Sequence, residues 1–248
     1  MRVTFLGTGS AMPAGDRNQT GLLLEAGETT LLVDCGSGVL RALADTDAGY
    51  EAVDAVLLTH HHLDHVSDLF PLIKARWLAG AEQLTVVGPE GTDALVEGLF
   101  DVHDYLRDRV DLTLREVTPG EFELAGFDVE AVKTVHSMYC LAYRFTHPDA
   151  DGDFCFSGDS EATGAVADLA DGARVLAHDC SFPDEIDVSN HPTPSALGET
   201  LAGRDIEQLY LTHLYPHTDG KHREMVESVR EAFDGEIRVA RDGAEVEI

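Results

Sequence analysis

One short segment constrains this chain most: Leu58-Thr59-His60-His61-His62-Leu63-Asp64-His65. Four of the 12 histidines lie within its last six positions. The apolar run Val53–Leu58 predicts a buried strand, which would place the motif on the loop at the strand's end. Imidazole and carboxylate groups at this density indicate a site for zinc or a similar divalent ion. The alternative is a chance cluster of solvated histidines, which so dense a grouping disfavours.

The spacing of these side chains favours two ions over one. Four ligands from so few consecutive residues cannot surround a single ion tetrahedrally. The four ligands can more easily be shared between two ions, with His60 and His62 facing one ion and Asp64 and His65 facing a second. Such a division requires further ligands from elsewhere in the chain.

Several later strands are predicted to end at a residue that can bind metal, namely His136, Asp159, His178 and His213. A lone histidine after a strand is more often a hydrogen-bonded core residue than a ligand. Together they indicate one site, because neighbouring strands deliver the side chains at their ends to one edge of a sheet. Asp159, between Gly158 and Ser160, can place a carboxylate between two cations. We expect His178 to support a ligand or the fold rather than to bind metal.

The order of elements predicts an α+β fold. Strands come first and strand–helix alternation follows, which favours two sheets packed face to face with helices outside. One of these helices is predicted over Ser67–Leu78. A chain of 248 residues that is 44% hydrophobic can bury a large core, and we expect a single domain over residues 1–248. No apolar run is long enough to span a bilayer, and Met1–Gly7 has the pattern of a strand and turn rather than a signal peptide, so a cytoplasmic protein without membrane segments is expected.

The charge balance is strongly acidic. Aspartate and glutamate number 46 against 17 lysines and arginines, for a net charge of −29. Such a surface is typical of proteins that work in concentrated salt, where self-repulsion is screened, so we hypothesise a halophilic source. An acidic protein from a low-salt organism is the alternative. The four cysteines are scattered, which predicts reduced thiols rather than a disulfide framework.

The motif Thr59-His60-x-His62-x-Asp64-His65 resembles the signature of the metallo-β-lactamase-fold hydrolases, and the resemblance covers nearly the whole chain. It is closest to the ribonuclease Z branch, on these segments: Phe5–Ser10 with Pro13, Arg17 and Asn18; Asp34–Gly36; Gly88–Thr92; Ser157–Asp159; and Leu211–His213. The resemblance implies an αββα sandwich that holds two divalent metal ions, with zinc expected and manganese as the alternative.

The same resemblance implies a role for each site residue. His60, His62 and His136 would bind the first ion. Asp64, His65 and His213 would bind the second, and Asp159 would bridge both. Asp64 would also orient the attacking water. His191, in the segment Asn190–Ala196, resembles the branch's downstream His-Ser/Thr motif and would assist phosphodiester cleavage.

The chain departs from ribonuclease Z in two respects. The form used for comparison inserts a long tRNA-gripping arm between the third ligand histidine and the bridging aspartate. Here only 23 positions separate His136 from Asp159, enough for a hairpin and a strand. No run of lysines and arginines offers a track for a phosphate backbone either. We therefore expect a small-molecule phosphodiester as substrate rather than nucleic acid, acted on by a monomer or homodimer.

Four functions are consistent with these residues and with the resemblance. The first is a metal-dependent phosphodiesterase for small or cyclic phosphodiesters. The alternatives are a tRNA 3′-processing endonuclease of the ribonuclease Z type, a hydrolase of thioesters, lactones or sulfate esters, and a non-catalytic metal-binding protein. The complete ligand set disfavours the last, and His191 favours phosphorus chemistry over thioesters.

Overall fold

Two mixed β-sheets packed face to face form the centre of the molecule, of which the computed structural model describes residues 1–81, 83–186 and 188–248. Each sheet has seven strands within these residues, and helices cover both outer faces, so the predicted αββα sandwich is confirmed. The first sheet runs in the order β14-β1-β2-β3-β4-β5-β6. Its strands are β1 (Arg2–Gly7), β2 (Gly21–Ala26), β3 (Thr29–Val33), β4 (Ala55–Leu57), β5 (Gln83–Gly88), β6 (Asp111–Glu116) and β14 (Glu245–Glu247).

The second sheet repeats the plan of the first, in the order β13-β12-β11-β10-β9-β8-β7. Its strands are β7 (Gly120–Leu124), β8 (Phe127–Lys133), β9 (Leu141–Thr146), β10 (Phe154–Phe156), β11 (Val175–Asp179), β12 (Gln208–Thr212) and β13 (Glu236–Val239). In both sheets the strands that come first in the chain pair antiparallel, and the later ones that are joined through helices pair parallel; the last strand, β14, pairs antiparallel with β1. The strand–helix alternation in the sequence therefore marks the parallel half of each sheet.

The helices complete the outer layers. They are α1 (Val39–Ala44), α2 (Leu63–Val66), α3 (Leu69–Ala79), α4 (Thr92–Val102), α5 (Gly164–Ala170), α6 (Pro194–Leu201) and α7 (His222–Arg230), with short 3₁₀ turns at Asp104–Leu106 and Pro216–Thr218. None of the helices in the described ranges is long and apolar enough to cross a membrane.

Three apolar layers hold the sandwich together. Between the sheets, Phe5, Leu22 and Tyr143 belong to a core to which both sheets contribute. Outside the first sheet, the strand residue Leu23 packs with α1, α3 and α4, and a matching layer joins the second sheet to α6 and α7. Because alternate side chains of β2 enter different layers, this strand is apolar on both faces.

The predicted helix Ser67–Leu78 begins later than expected, and a separate short helix precedes it. Helix α2 contains Asp64 and His65, so only the first part of the histidine motif lies on a loop. The break falls at Asp68, whose carboxylate accepts hydrogen bonds from the backbone N–H groups of Gly38 and Leu40 at 2.9 and 3.0 Å. This tertiary contact fixes the end of the motif against α1.

The carboxyl ends of the parallel strands lie at one edge of the sandwich. Strands β3, β4, β10, β11 and β12 all end there, and β8 runs in the same direction as β10 because both pair antiparallel with β9. Ligands bind at this edge in open sheets with parallel strands. The loops that follow these strands build the site.

Candidate metal centre and active site

Three histidines converge on one oxygen of Asp159. His60 Nε2 lies 3.0 Å from His62 Nδ1, and His136 Nε2 lies 3.1 Å from the same atom. His60 Nε2 and His136 Nε2 are 3.7 and 3.6 Å from Asp159 Oδ2. The opposite ring nitrogen of each of these two histidines forms a hydrogen bond, His60 Nδ1 with the Thr59 hydroxyl and His136 Nδ1 with the Asn190 backbone oxygen. The convergent nitrogens therefore present lone pairs to a common point, which a cation can occupy.

A second group converges on the other oxygen of the same carboxylate. His65 Nε2 and His213 Nε2 lie 3.2 and 3.4 Å from Asp159 Oδ1. Asp64 Oδ2 is 3.1 Å from His213 Nε2 and 3.8 Å from His65 Nε2. The division of the motif that the sequence suggested, with His60 and His62 apart from Asp64 and His65, is the division in the structure.

Two buried atoms at the centre of the site lack a hydrogen-bond partner among the described residues: His65 Nε2 and Asp159 Oδ1. Burial raises the pKa of Asp159, but His213, His65 and His60 outweigh it and hold that pKa well below its usual range. Burial lowers the pKa of His65, yet the carboxylates of Asp159 and Asp34 raise it to about 10. The cluster thus attracts positive charge at two points, and its nitrogen and oxygen donors suit divalent ions.

A buried carboxylate that the sequence analysis did not single out as a site residue orients half of this cluster. Asp34, at the end of β3 with φ of 58°, accepts a hydrogen bond from His65 Nδ1 at 2.7 Å. It also accepts the hydroxyl of Thr59 at 2.8 Å, and Thr59 in turn contacts His60 Nδ1 at 3.0 Å. Such outer carboxylates fix the tautomer and the direction of metal-binding histidines. Gly36 permits this arrangement, because a Cβ there would lie 2.1 Å from the backbone oxygen of Asp64.

Asp179, at the end of β11, orients His213 and His191 in the way that Asp34 orients His65 and His60. Its Oδ1 accepts the hydroxyl of Ser181 at 2.6 Å, and Ser181 Oγ lies 2.9 Å from His213 Nδ1. Its Oδ2 accepts His191 Nδ1–H at 2.7 Å. Burial raises the pKa of Asp179, but His191 and His213 bring it down to about 2. Burial lowers the pKa of His191, and the Asp179 carboxylate more than offsets this and raises it.

His191 itself lies beside the cluster with one nitrogen still available. Since Asp179 holds Nδ1, Nε2 is the atom left to face the cavity, near Asp159 and His213. The cavity has a volume of about 430 Å³. The described residues that line it are Ala11, His62, Leu63, Asp64, His136, Ser137, Asp159, Asn190, His191 and Tyr215. A group bound here would touch the metal-binding side chains and His191 together.

Comparison with known proteins identifies the family. The family model of the anti-Pycsar protein Apyc1 matches residues 1–227. A ribonuclease Z from Methanopyrus kandleri is 32% identical over 98% of this chain and 96% of its own length. The chain belongs to the metallo-β-lactamase-fold hydrolases of the Apyc1 family.

Solved structures agree with this assignment. The metallo-β-lactamase-fold protein YhfI from Bacillus subtilis superposes with a TM-score of 0.84 at 27% identity, over 99% of this chain and 98% of its own. The short form of human tRNase Z (ELAC1) gives a TM-score of 0.80 over 100% and 99% of the two chains; at 20% identity this shows the fold alone. The alignment with the Methanopyrus relative runs over 279 positions against 248 residues here, so that relative has insertions which this chain lacks.

The connection between His136 and Asp159 is short, as the sequence predicted. Between His136 and Asp159 this hydrolase has only strands β9 and β10 and their connection. The long arm of the ribonuclease Z form is therefore absent from that position, as expected.

The structure brings all seven candidate ligands and His191 together at one edge of the hydrolase fold. His178 does not join them, because its ring hydrogen-bonds the backbone oxygen of Asp179 at 2.8 Å instead. Its neighbours Val175 and Ala177 face the core between the sheets, whereas Leu176 faces the helices. By alternation His178 faces the helices and Asp179 the site. His178 thus supports the fold rather than the cluster, and alternation along β11 is the signal that would have found Asp179.

Proposed function

We propose that this hydrolase is a dinuclear metal-dependent phosphodiesterase that acts on small or cyclic phosphodiesters. The first ion would be held by His60, His62 and His136, and the second by Asp64, His65 and His213. One observation carries the proposal: the two oxygens of the buried Asp159 face two separate groups of donor atoms, the arrangement of a bridging ligand. Zinc suits this histidine-rich set, and manganese is the alternative.

Divalent ions bound here would supply acidification of a water molecule and positive charge for the phosphoryl oxygens. Asp64 is the group of this chain that would orient the attacking water. Burial raises its pKa, but the hydrogen bond with His213 and the charges of His65 and His213 together outweigh this and lower the pKa, so the carboxylate stays ionised. Its Oδ2 faces His213, which leaves the second oxygen to accept a proton from water at the cavity.

His191 would supply the proton for the leaving oxygen. Asp179 stabilises its charged form through Nδ1, so Nε2–H can be donated to an alkoxide as the P–O bond breaks. Thioesters need this help less, because a thiolate leaves as an anion more readily than an alkoxide. The pairing of His191 with a buried carboxylate therefore supports an oxygen leaving group.

The cavity supports a small substrate. Its volume of about 430 Å³ falls in the range of sites for single small ligands. None of the described lining residues is a lysine or arginine, so a chain of further phosphates would find no cation beyond the centre itself. Non-specific affinity for RNA depends on such contacts.

The second candidate is removal of the 3′ trailer from precursor tRNA. The relative from Methanopyrus kandleri, named ribonuclease Z and aligned over nearly the whole chain, favours it. Both activities would use the same metal centre. They differ in which surfaces bind the part of the substrate that lies outside this centre.

One assay separates the candidates. Purified protein loaded with zinc or manganese in high KCl is given a cyclic nucleotide, bis-p-nitrophenyl phosphate, a thioester, a lactone, a sulfate ester and a precursor tRNA. We expect turnover of the small diesters and little or none of the tRNA, with Asp159→Ala as the inactive control. Efficient cleavage at the 3′ trailer would instead establish the second candidate.

A further inference from the structure

The residue before His191 is held by two neighbouring loops. The N–H of Asn190 donates to the Glu161 carboxylate at 2.9 Å, and its carbonyl oxygen accepts a hydrogen bond from His136 Nδ1 at 3.3 Å. The backbone of Asn190 lies in the left-handed region, with φ of 77°. Residues other than glycine seldom adopt this conformation, so the two contacts stabilise a local backbone arrangement that is unfavourable without them. Because the peptide groups on both sides of Asn190 are fixed, the backbone from which His191 projects is fixed as well.

Glu161 belongs to the same loop as the bridging ligand. It follows Asp159 by two positions, and its own backbone N–H donates to the carbonyl oxygen of Val135 at 2.9 Å. Val135 in turn precedes His136. Glu161 therefore joins three segments of the site, those that contain Asp159, His136 and His191. Its carboxylate forms a charge-assisted hydrogen bond, which is about twice as strong as one between neutral groups.

His136 contacts both Asn190 and His191. The rings of His136 and His191 meet edge to face, with centroids 5.4 Å apart and an interplanar angle of 65°. Nδ1 of His136 faces the Asn190 oxygen, whereas Nε2 lies 3.6 Å from Asp159 Oδ2 in the first group of donor atoms. An ion bound to Nε2 keeps the proton on Nδ1 and polarises that N–H, which makes it a better donor. Ion binding therefore strengthens the hydrogen bond to Asn190.

We propose that Glu161, Asn190 and His136 form a clamp, through which occupancy of the first ion site and the placement of His191 stabilise each other. Glu161 is the positioning residue that holds Asn190 from the side opposite His136. The inference rests on the proposed function and adds a form of regulation to it, because the proton donor is held in place when the first ion is bound. Coupling of this kind is reciprocal, so releasing the clamp weakens ion binding by the same factor by which the ion tightens the clamp.

The test follows amide hydrogen exchange, resolved to single residues, in metal-free and zinc-loaded protein. Zinc should slow exchange of the Asn190 amide by about 2- to 12-fold, the range that one hydrogen bond contributes. The Asp205 amide is the matched control, because it also donates to a carboxylate, that of Asp171, at 2.8 Å. Asp205 precedes β12 at the edge of the sheet opposite the site, so its exchange reports any general stabilisation by zinc.

Variants of the clamp separate its parts. Glu161→Ala should abolish the zinc-dependent slowing at Asn190 and lower zinc affinity by up to the same factor in a chelator competition. Glu161→Gln retains an acceptor oxygen, and Asn190→Gly retains both backbone groups and adopts positive φ readily, so both variants should keep the coupling. Asp171→Ala also removes a carboxylate that accepts a loop amide, and it should leave zinc affinity unchanged.

Turnover supplies a readout that a general loss of structure would not give. At saturating zinc, Glu161→Ala should lower kcat for a cyclic nucleotide, whose alkoxide needs the proton of His191, several-fold more than kcat for bis-p-nitrophenyl phosphate. Glu161→Gln should restore the wild-type ratio of the two rates.

The outcomes are distinct. Equal slowing at Asn190 and Asp205, or zinc-dependent slowing that persists in Glu161→Ala, would overturn the clamp. An equal loss on both substrates would overturn the positioning of His191. If the zinc-loaded protein cleaves no diester, the proposed function fails, whereas the exchange and affinity measurements still decide the coupling between Asn190 and zinc.

Discussion

Replacing Asp179 with asparagine tests whether this carboxylate acts through His191. The substitution preserves size in a fully buried position but removes the charge that His191 Nδ1–H meets at 2.7 Å. An asparagine can offer its N–H to that nitrogen, which favours the neutral ring and opposes the protonated form. The acid that the proposed mechanism requires is then less populated.

The size of the effect on catalysis follows from the hydrogen bond between Asp179 and His191. A hydrogen bond to a charged group contributes about 1.5–3 kcal/mol. At 1.36 kcal/mol per tenfold, the loss in kcat is about 10–150-fold. His191→Ala removes the acid altogether and should cost about 10²–10⁴-fold. Asp179→Asn should therefore be the milder of the two.

The assay must use a leaving group that needs a proton. A cyclic nucleotide releases an alkoxide, whereas p-nitrophenolate leaves readily as an anion, so both variants should be impaired on the former and far less on the latter. The pH dependence should change as well. His191 must be protonated to act, so kcat falls as pH rises through its pKa. Without the Asp179 carboxylate that pKa is lower, and the falling limb should move to lower pH.

A double-mutant comparison decides whether the reasoning holds. If Asp179 acts through His191, adding Asp179→Asn to His191→Ala should cost little more. Ser181→Ala controls for the second contact of Asp179, the one that leads to His213, and metal content should be measured in every variant. Full additivity of the two losses, or loss of metal in Asp179→Asn, would refute the proposed role.

Three further predictions follow from the same geometry. Asp159→Ala should abolish turnover and lower the bound metal by at least one equivalent in elemental analysis; full retention of both ions would contradict its bridging role. Glu161 accepts the backbone N–H of Asn190 at 2.9 Å, and the Asn190 carbonyl meets His136 Nδ1 at 3.3 Å, so Glu161→Ala should weaken metal affinity several-fold, whereas Glu161→Gln should retain it. The net charge of −29 predicts that the unfolding temperature rises steeply between 0.1 and 2 M KCl; an unchanged temperature would remove the argument for salt adaptation.

Those site residues that directly follow strands could be predicted from the sequence. The density of histidines at His60–His65 and the spacing of later residues after apolar runs follow local rules, so the fold and the convergence of these side chains could be predicted. Two sets of residues were missed. Asp34 and Asp179 are recognised only by which face of a strand each occupies. The contact between Glu161 and Asn190 joins loops 29 residues apart and depends on the left-handed backbone of Asn190, with φ of 77°. No periodicity encodes such a contact.

Each of the two groups of donor atoms contains side chains from both sheets. His60 and His65 follow β4 of the first sheet, whereas His136, Asp159 and His213 follow strands of the second. Ions at these points would cross-link the two halves of the sandwich, and their binding free energy would count toward folding. The melting temperature would then vary with the concentration of free metal. Chelation would weaken the contact between the two sheets before it destabilised either sheet alone. Since His65 holds a proton at neutral pH without metal, loading would also release protons, which a weakly buffered titration can count.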